Sequence, residues 1–137
     1  MTRFKSKLQA LQTAKKVWTC QYCRTQHTPS KPTRCTTCDH GLFFYFASMG
    51  EANRFAELAL QQDYGHISDL RVQVPYPIKV RGQKIFEYRA DFTYKQKDGS
   101  PIVEDFKGAS SGHETDLFKL KRKIVEATYQ IKIYISR

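Results

Sequence analysis

All four cysteines of this 137-residue chain fall in one short stretch, at Cys20, Cys23, Cys35 and Cys38. They form two CxxC pairs with eleven residues between them, in a loop rich in Pro and Thr, TCQYCRTQHTPSKPTRCTTCDH. Each CxxC clamps an ion with two thiolates from a single tight turn, and two such turns complete a tetrahedral shell around zinc. The rival arrangement, two disulfides, needs an oxidising compartment that nothing in the chain indicates. A redox CxxC would occur singly. The spacing therefore predicts a structural Zn²⁺ held by four cysteines, in a module over residues 18–41 that has no core of its own. His27 and His40 are alternative ligands, but four thiolates already close the shell. Trp18 and Tyr22 have two uses here, covering the metal site or stacking on bases.

The formal net charge of +10 is spread unevenly. Residues 1–47 carry eight Lys or Arg against one acid, and residues 48–137 carry fifteen against twelve. A basic arm beside a nearly balanced domain points to a polyanionic partner, nucleic acid above all, although a merely soluble basic protein would share the composition. Hydrophobic content of 40% with 13% aromatics suits a chain that buries a core and argues against wholesale disorder. No apolar run approaches the ~20 residues of a membrane helix, and the basic N-terminus lacks the apolar stretch of a secretory signal. A cytoplasmic protein with no membrane partner is expected. Residues 1–17 read as a short basic helix with Phe4, Leu8, Leu11 and Lys15 on one stripe. Its thin apolar face leaves three uses open: docking on the body, a homodimer contact, or a phosphate contact.

Residues 42–137 read as one α/β domain. Residues 42–46 are a short strand or a packed linker leading into it. Ser48-Met49-Gly50-Glu51 has the S-x-x-E form of a capping box, in which the two side chains satisfy exposed amides at a helix start. The helix is expected over residues 49–63, with Phe55, Leu58 and Ala59 on its apolar face, Ala52 and Gln62 at the edge, and Tyr64-Gly65 as terminator. Strands follow over residues 70–80, 85–94 and 102–106; Pro75 and Pro77 confine the first to an edge or bend it. Thr115 caps a second helix, with Leu117, Leu120, Ile124 and Ala127 inward and Lys119, Lys121, Arg122 and Lys123 outward. Residues 131–135 alternate as a last strand.

The chemistry concentrates in residues 87–108, EYRADFTYKQKDGSPIVEDFKG. Strand alternation puts Phe86, Tyr88, Ala90, Phe92 and Tyr94 on one face, and Glu87, Arg89, Asp91 and Thr93 on the other. In the next strand Val103, Asp105 and Lys107 share a face and Glu104 lies opposite, which makes it structural. A two-residue loop at Asp98-Gly99 would separate Asp91 from Asp105. A three-residue loop, Lys97-Asp98-Gly99 with Gly99 left-handed, sets Asp91 across from Asp105 and Lys107 across from Arg89, and this is the loop expected. Facing carboxylates repel unless a cation or proton intervenes, and hard oxygen donors favour Mg²⁺ or Mn²⁺. Such a metal activates water and neutralises a scissile phosphodiester, while Lys107 orients the water or stabilises the transition-state charge. A lone D-x-K on a strand is ordinarily a surface pair; the position of Asp91 and the order of elements distinguish this one.

Asp91, thirteen residues, then Asp105-Phe106-Lys107, in the order helix, three strands, helix, strand, resembles the PD-(D/E)xK nuclease superfamily, with Ala90 in place of the motif's proline. The wording YRADFTY, VEDFKG and FKLKRK is similar to a family of small phage and prophage proteins of uncharacterised function assigned to that superfamily, over residues 48–137. The resemblance implies a restriction-endonuclease-like α-β-β-β-α-β core with a mixed central sheet. It also implies metal binding by Asp91, Asp105 and the Phe106 carbonyl, with Lys107 catalytic. Many members add a glutamate from the first helix, here Glu51, which competes with its capping role. The implied activity is a metal-dependent DNA endonuclease of the host cytoplasm leaving 5′-phosphate and 3′-hydroxyl ends. By the same analogy branched DNA, as for a Holliday-junction resolvase, is the favoured substrate. Beside such a site Lys119, Lys121, Arg122, Lys123 and Arg89 are expected to contact phosphates. Residues 108–112 form either a loop over the site or a linker, with His113 beside them. The W-x-C-x-x-C and C-x-x-C pattern resembles a Ran-binding-protein-type zinc finger or a zinc ribbon, with His27 and Thr28 where that finger has an asparagine. The alternatives are a non-catalytic zinc-containing nucleic-acid-binding protein and a protein-interaction module.

Overall fold

A computed structural model describes residues 16–108 and 114–137. The basic helix expected over residues 1–17 lies outside the described residues except at 16 and 17, where Val17 begins a strand, and His113 with the loop before it lies outside them too. The chain divides into two compact units, Met1–Glu57 and Leu58–Arg137.

In the first unit β1 (Val17–Cys20), β2 (Gln26–His27) and β3 (Phe43–Phe46) form a three-stranded antiparallel sheet in the order β2-β1-β3. The strand β3, expected to lead into the second domain, pairs instead along its whole length with β1. The partnership satisfies the amides and carbonyls on the edge of β1 that two-residue β2 cannot reach. Val17, Cys20 and Phe46 are wholly buried. Helix α1 (Met49–Asp63) begins as its capping box predicts, with the Glu51 amide donating to Ser48 Oγ at 3.2 Å. Phe55 meets the rings of Phe44 and Phe46, each at 5.3 Å, and Ala52, Phe55, Leu58 and Ala59 are the buried positions of the helix. It ends at Gly65, whose φ of +76° an L side chain adopts only with strain. The division between the units falls inside α1.

The second unit contains β4 (Ile67–Val80), β5 (Gln83–Gln96), β6 (Pro101–Phe106), α2 (Asp116–Tyr129) and β7 (Ile133–Ser136). The sheet order is β4-β5-β6-β7, antiparallel except for the parallel pair β6–β7, so the sheet is mixed. Helix α2 is the crossover that a parallel pair requires. Pro75 and Pro77 sit in β4, the edge strand, as proline's missing amide demands. Val103, Val125 and Ile133 are buried in a core with Ile78, Tyr88 and Ala90. Burying side chains of this size contributes about 1.5–3 kcal/mol each.

Helix α2 starts at the expected cap, the Phe118 amide donating to Thr115 Oγ1 at 3.1 Å, but it turns a different stripe inward. Leu117 and Leu120, expected inside, are 60% and 55% exposed. The inward positions are Phe118, Arg122 and Val125, with Ile124 half-buried. The reason lies in what this stripe reaches. Arg122 donates to the Ile133 carbonyl at 3.0 Å, Val125 enters the core, and Tyr129 donates to the Pro77 carbonyl at 2.6 Å. The leucine stripe has no groups that can bond the sheet backbone.

Candidate functional site

The first unit brings the four cysteines together. Their sulfurs all lie within 4.8 Å of one another, with Cys20–Cys38 and Cys23–Cys35 each at 3.4 Å. These are not disulfide distances, and all four are free thiols. A tetrahedral zinc with bonds of about 2.3 Å needs sulfurs about 3.8 Å apart, so the cluster is positioned to hold a metal ion and is compatible with structural zinc. The histidines serve the sulfurs: His27 Nε2 lies 3.4 Å from Cys35 Sγ, and His40 Nδ1 lies 3.4 Å from Cys38 Sγ. Burial opposes ionisation of Cys35, yet the amides of Cys38 and Thr37, with His27 and Cys23, outweigh it and hold the thiol down at about 5. At Cys38 the hydrogen bond from the His40 backbone favours the thiolate, but burial and the neighbouring sulfurs push the group up to about 12. Four sulfurs this close cannot all carry charge without a cation among them. Of the two aromatics, Trp18 packs on Tyr45 at 5.3 Å and Tyr22 stacks on His40 at 3.8 Å.

In the second unit the β5–β6 loop is the three-residue one. Gln96 and Ser100 pair across it, Gly99 donates to the Gln96 carbonyl at 2.9 Å, and Gly99 has φ +87°. The paired residues run from Lys95↔Pro101 to Phe92↔Glu104, and the same register carried one residue further sets Asp91 opposite Asp105. The Phe106 amide donates to Asp91 Oδ2 at 2.8 Å, which ties the acid to the partner strand. Asp105 is buried, and its Oδ2 lies 3.1 Å from Lys107 Nζ. The same ammonium sits 4.3 Å over the Phe118 ring, so α2 fixes the lysine from its second side. Glu104, the neighbouring acid, is wholly buried and accepts from Tyr94 at 2.8 Å and Ser136 at 3.0 Å.

The structure departs from simple alternation at Asp91. Tyr88 and Ala90 share a core with Val103, whereas Val103 pairs with Thr93, so the inward phase of β5 changes between Ala90 and Thr93. Opposite Asp91 stands Gln73, a non-glycine residue with φ +54°, where β4 bends while keeping its register. The change replaces the residue expected beside the acids. Arg89 stays exposed and bonds Glu87 at 3.2 Å, while Tyr88 turns inward. The Tyr88 hydroxyl is buried without a hydrogen-bond partner among the described residues. Its ionisation is pushed far up, chiefly by burial and then by the charges of Asp105 and Asp91, with Arg122 pulling the other way. Tyr88 was not among the residues expected near the acids; the available signal was a tyrosine among apolar neighbours three residues before Asp91.

The remaining residues are placed as follows. Glu51 lies in the first turn of α1, in the first unit. Lys119 and Lys123 are exposed on α2, and Lys121 Nζ lies 5.4 Å over the Phe86 ring. Arg122, expected outward, is half-buried and engaged with the Ile133 carbonyl, with Glu114 at 3.6 Å and with Glu126 at 3.5 Å. A cavity of about 550 Å³ along β7, lined in part by Arg122, Lys132, Tyr134 and Arg137, contains neither aspartate. Among the described residues no helix is long and apolar enough to cross a membrane.

No curated protein sequence matches the chain. A family match runs over residues 40–136, from just after the last cysteine to the end of β7, and takes in α1, both aspartates and Lys107. It spans most of the chain, and the protein therefore belongs to the family described as "Protein of unknown function (DUF1064)".

Proposed function

We propose that the chain is a metal-dependent DNA endonuclease of the PD-(D/E)xK kind, with Asp91, Asp105 and the Phe106 carbonyl as the ligands of Mg²⁺ or Mn²⁺. The observation that carries this reading is the juxtaposition of Asp91 and Asp105 with Lys107 held beside them. Two carboxylates and a carbonyl are hard oxygen donors, few enough to leave positions for water and phosphate, as Mg²⁺ usually prefers. The unpartnered Tyr88 hydroxyl fits a polar occupant too, since a buried donor left unpaired costs about 1–3 kcal/mol. When bound, the metal supplies an activated water and neutralises charge on the scissile phosphate. The Phe106 amide fixes the Asp91 carboxylate so that it need not reorganise during reaction. Lys107 offers a positive charge where the phosphorane-like transition state gains negative charge. Water oxygen bonds to phosphorus and gives up a proton to solvent as the bond to the 3′-oxygen breaks and that oxygen takes up a proton from solvent, giving 5′-phosphate and 3′-hydroxyl ends. Branched DNA is the favoured substrate, and a homodimer would supply two such sites.

The test is cleavage of linear, nicked, single-stranded and four-way-junction DNA with Mg²⁺ or Mn²⁺, without divalent metal, and in EDTA. Asp105→Asn and Lys107→Met are each expected to lower the rate by about 10²–10³-fold while DNA binding stays within about twofold. Cleavage that is equal in EDTA, or undetectable on every substrate, would sink the reading. Metal-independent binding without cleavage would leave the chain as a zinc-containing nucleic-acid-binding protein.

A further inference from the structure

The tip of the β4–β5 hairpin breaks three local rules of strand construction at once. The first is electrostatic. Lys79 and Lys84 are direct cross-strand partners, an arrangement in which like charges repel. The second is conformational. The two-residue turn is Arg81-Gly82, with φ +51° and +79°, a geometry that favours Asn, Asp or Gly and penalises a side chain as large as arginine at the first position. The third concerns solvent. A register shift after Ile78↔Phe86 leaves Ile85 as an extra, bulged residue, and Ile85 and Val80 are each 57% exposed. Each departure costs stability, and none is needed to close the hairpin. Local rules broken together at an exposed position are expected where side chains serve a ligand.

The chemistry of the tip identifies that ligand. From residue 79 to residue 90 the chain carries Lys79, Arg81, Lys84 and Arg89 against one acid, Glu87. Glu87 is itself occupied by Lys84 at 3.4 Å and Arg89 at 3.2 Å, so the excess is positive. Lys121 of α2 sits over Phe86 at the base of the same arm, which extends the positive surface onto the helix. A twisted two-stranded ribbon is narrow enough to enter the major groove of duplex DNA, about 12 Å wide, with cations at its flanks reaching phosphates.

We propose that the β4–β5 tip is a wing that grips duplex DNA, with Lys79, Arg81 and Lys84 on phosphates and Val80 and Ile85 against the groove wall. The wing rests on the nuclease reading for the nature of its substrate, but its test is a binding measurement that needs no cleavage. A labelled duplex is titrated with the full zinc-loaded chain, without Mg²⁺, over a series of salt concentrations. The comparison is with the triple variant Lys79→Gln, Arg81→Gly, Lys84→Gln. That variant removes the repulsion and gives the turn its preferred glycine, so it is expected to melt no lower than the parent. Its affinity at low salt is expected to fall tenfold or more, and the slope of log affinity against log salt to shrink by about 2–3, as loss of three phosphate contacts requires. A second variant, Val80→Thr with Ile85→Thr, is expected to weaken binding severalfold with the slope unchanged.

Affinity and slope unchanged in the triple variant would overturn the wing. So would a loss of binding to phosphatidylserine vesicles with DNA binding unchanged, which would assign the cations to an anionic membrane surface. Absence of cleavage in every protein, with tip-dependent DNA binding intact, would instead count against the nuclease reading and leave the wing standing.

Discussion

Tyr88 sits where packing and chemistry meet. Its ring is in the core with Ala90 and Val103, while its hydroxyl is buried without a partner in the field of Asp91 and Asp105. A phenol in that position gains from any acceptor brought within reach, because the unpaired state costs about 1–3 kcal/mol. In the proposed site the acceptor is a water or phosphate oxygen brought by the metal. Tyr88→Phe keeps the ring and removes only the donor, so the melting temperature is expected to change by no more than a few degrees. Metal-dependent cleavage is expected to fall about 10- to 100-fold, with the larger effect at limiting Mg²⁺, since one charge-assisted hydrogen bond is worth about 1.5–3 kcal/mol. Unaltered cleavage, together with raised stability, would show the hydroxyl to be a tolerated defect of the core and no part of the site.

The β5–β6 hairpin shows which parts of the element level are legible in residues alone. Asp98-Gly99 announces a turn, and the only loop length that pairs Asp91 with Asp105 is the one found, because Gly99 accepts φ +87° without strain. The α1 boundaries were equally readable, since Ser48 and Gly65 are chemical start and stop signals. By contrast, the rotation of α2 and the pairing of β3 with β1 depend on which surface each element meets. Leu117 and Phe118 give the helix two plausible apolar faces, and only the backbone carbonyl awaiting Arg122 chooses between them. The change of phase at Asp91 falls opposite Gln73, whose φ of +54° is a conformation its side chain does not announce. The loop also carries a pH signature. Asp98 is held below the usual carboxylate range, first by the Ser100 side chain and then by the Ser100 amide, which donates to Asp98 Oδ1 at 2.9 Å. A carboxylate depressed on folding stabilises the fold fully above its unfolded value, about 3.9, and loses that contribution as pH falls through the folded value. Urea unfolding of the wild type and Asp98→Ala should therefore differ at pH 6 and converge towards pH 2. A gap that persists at acid pH would mean the carboxylate's charge contributes nothing to the loop.

At the scale of the whole molecule, the two units solve stability by different means. The second has a sheet with a hydrophobic core under α2, whereas the first has a small three-stranded sheet and counts Cys20 and Cys35 among its described buried residues, beside Val17, Phe46, Ala52 and Phe55. With two of its four clustered thiols buried, the first unit is expected to depend on a metal, because such thiols without a cation must protonate or separate. The chain's one tryptophan makes this measurable: Trp18 lies in β1, two residues from Cys20 and against Tyr45, so its fluorescence reports the first unit alone. With a zinc-selective chelator in Mg²⁺-containing buffer, Trp18 emission is expected to shift to the red in step with zinc release. The core of the second unit should persist, seen as retained amide-exchange protection at Val103, Val125 and Ile133. The far-ultraviolet signal should change only in part, and adding zinc back should reverse the shift. If Trp18 emission stays put after metal analysis shows the zinc gone, the cysteines are not what holds the first unit together. If Val103, Val125 and Ile133 lose protection along with the shift, the two units share one folding transition, and their separate cores do not confer separate stability.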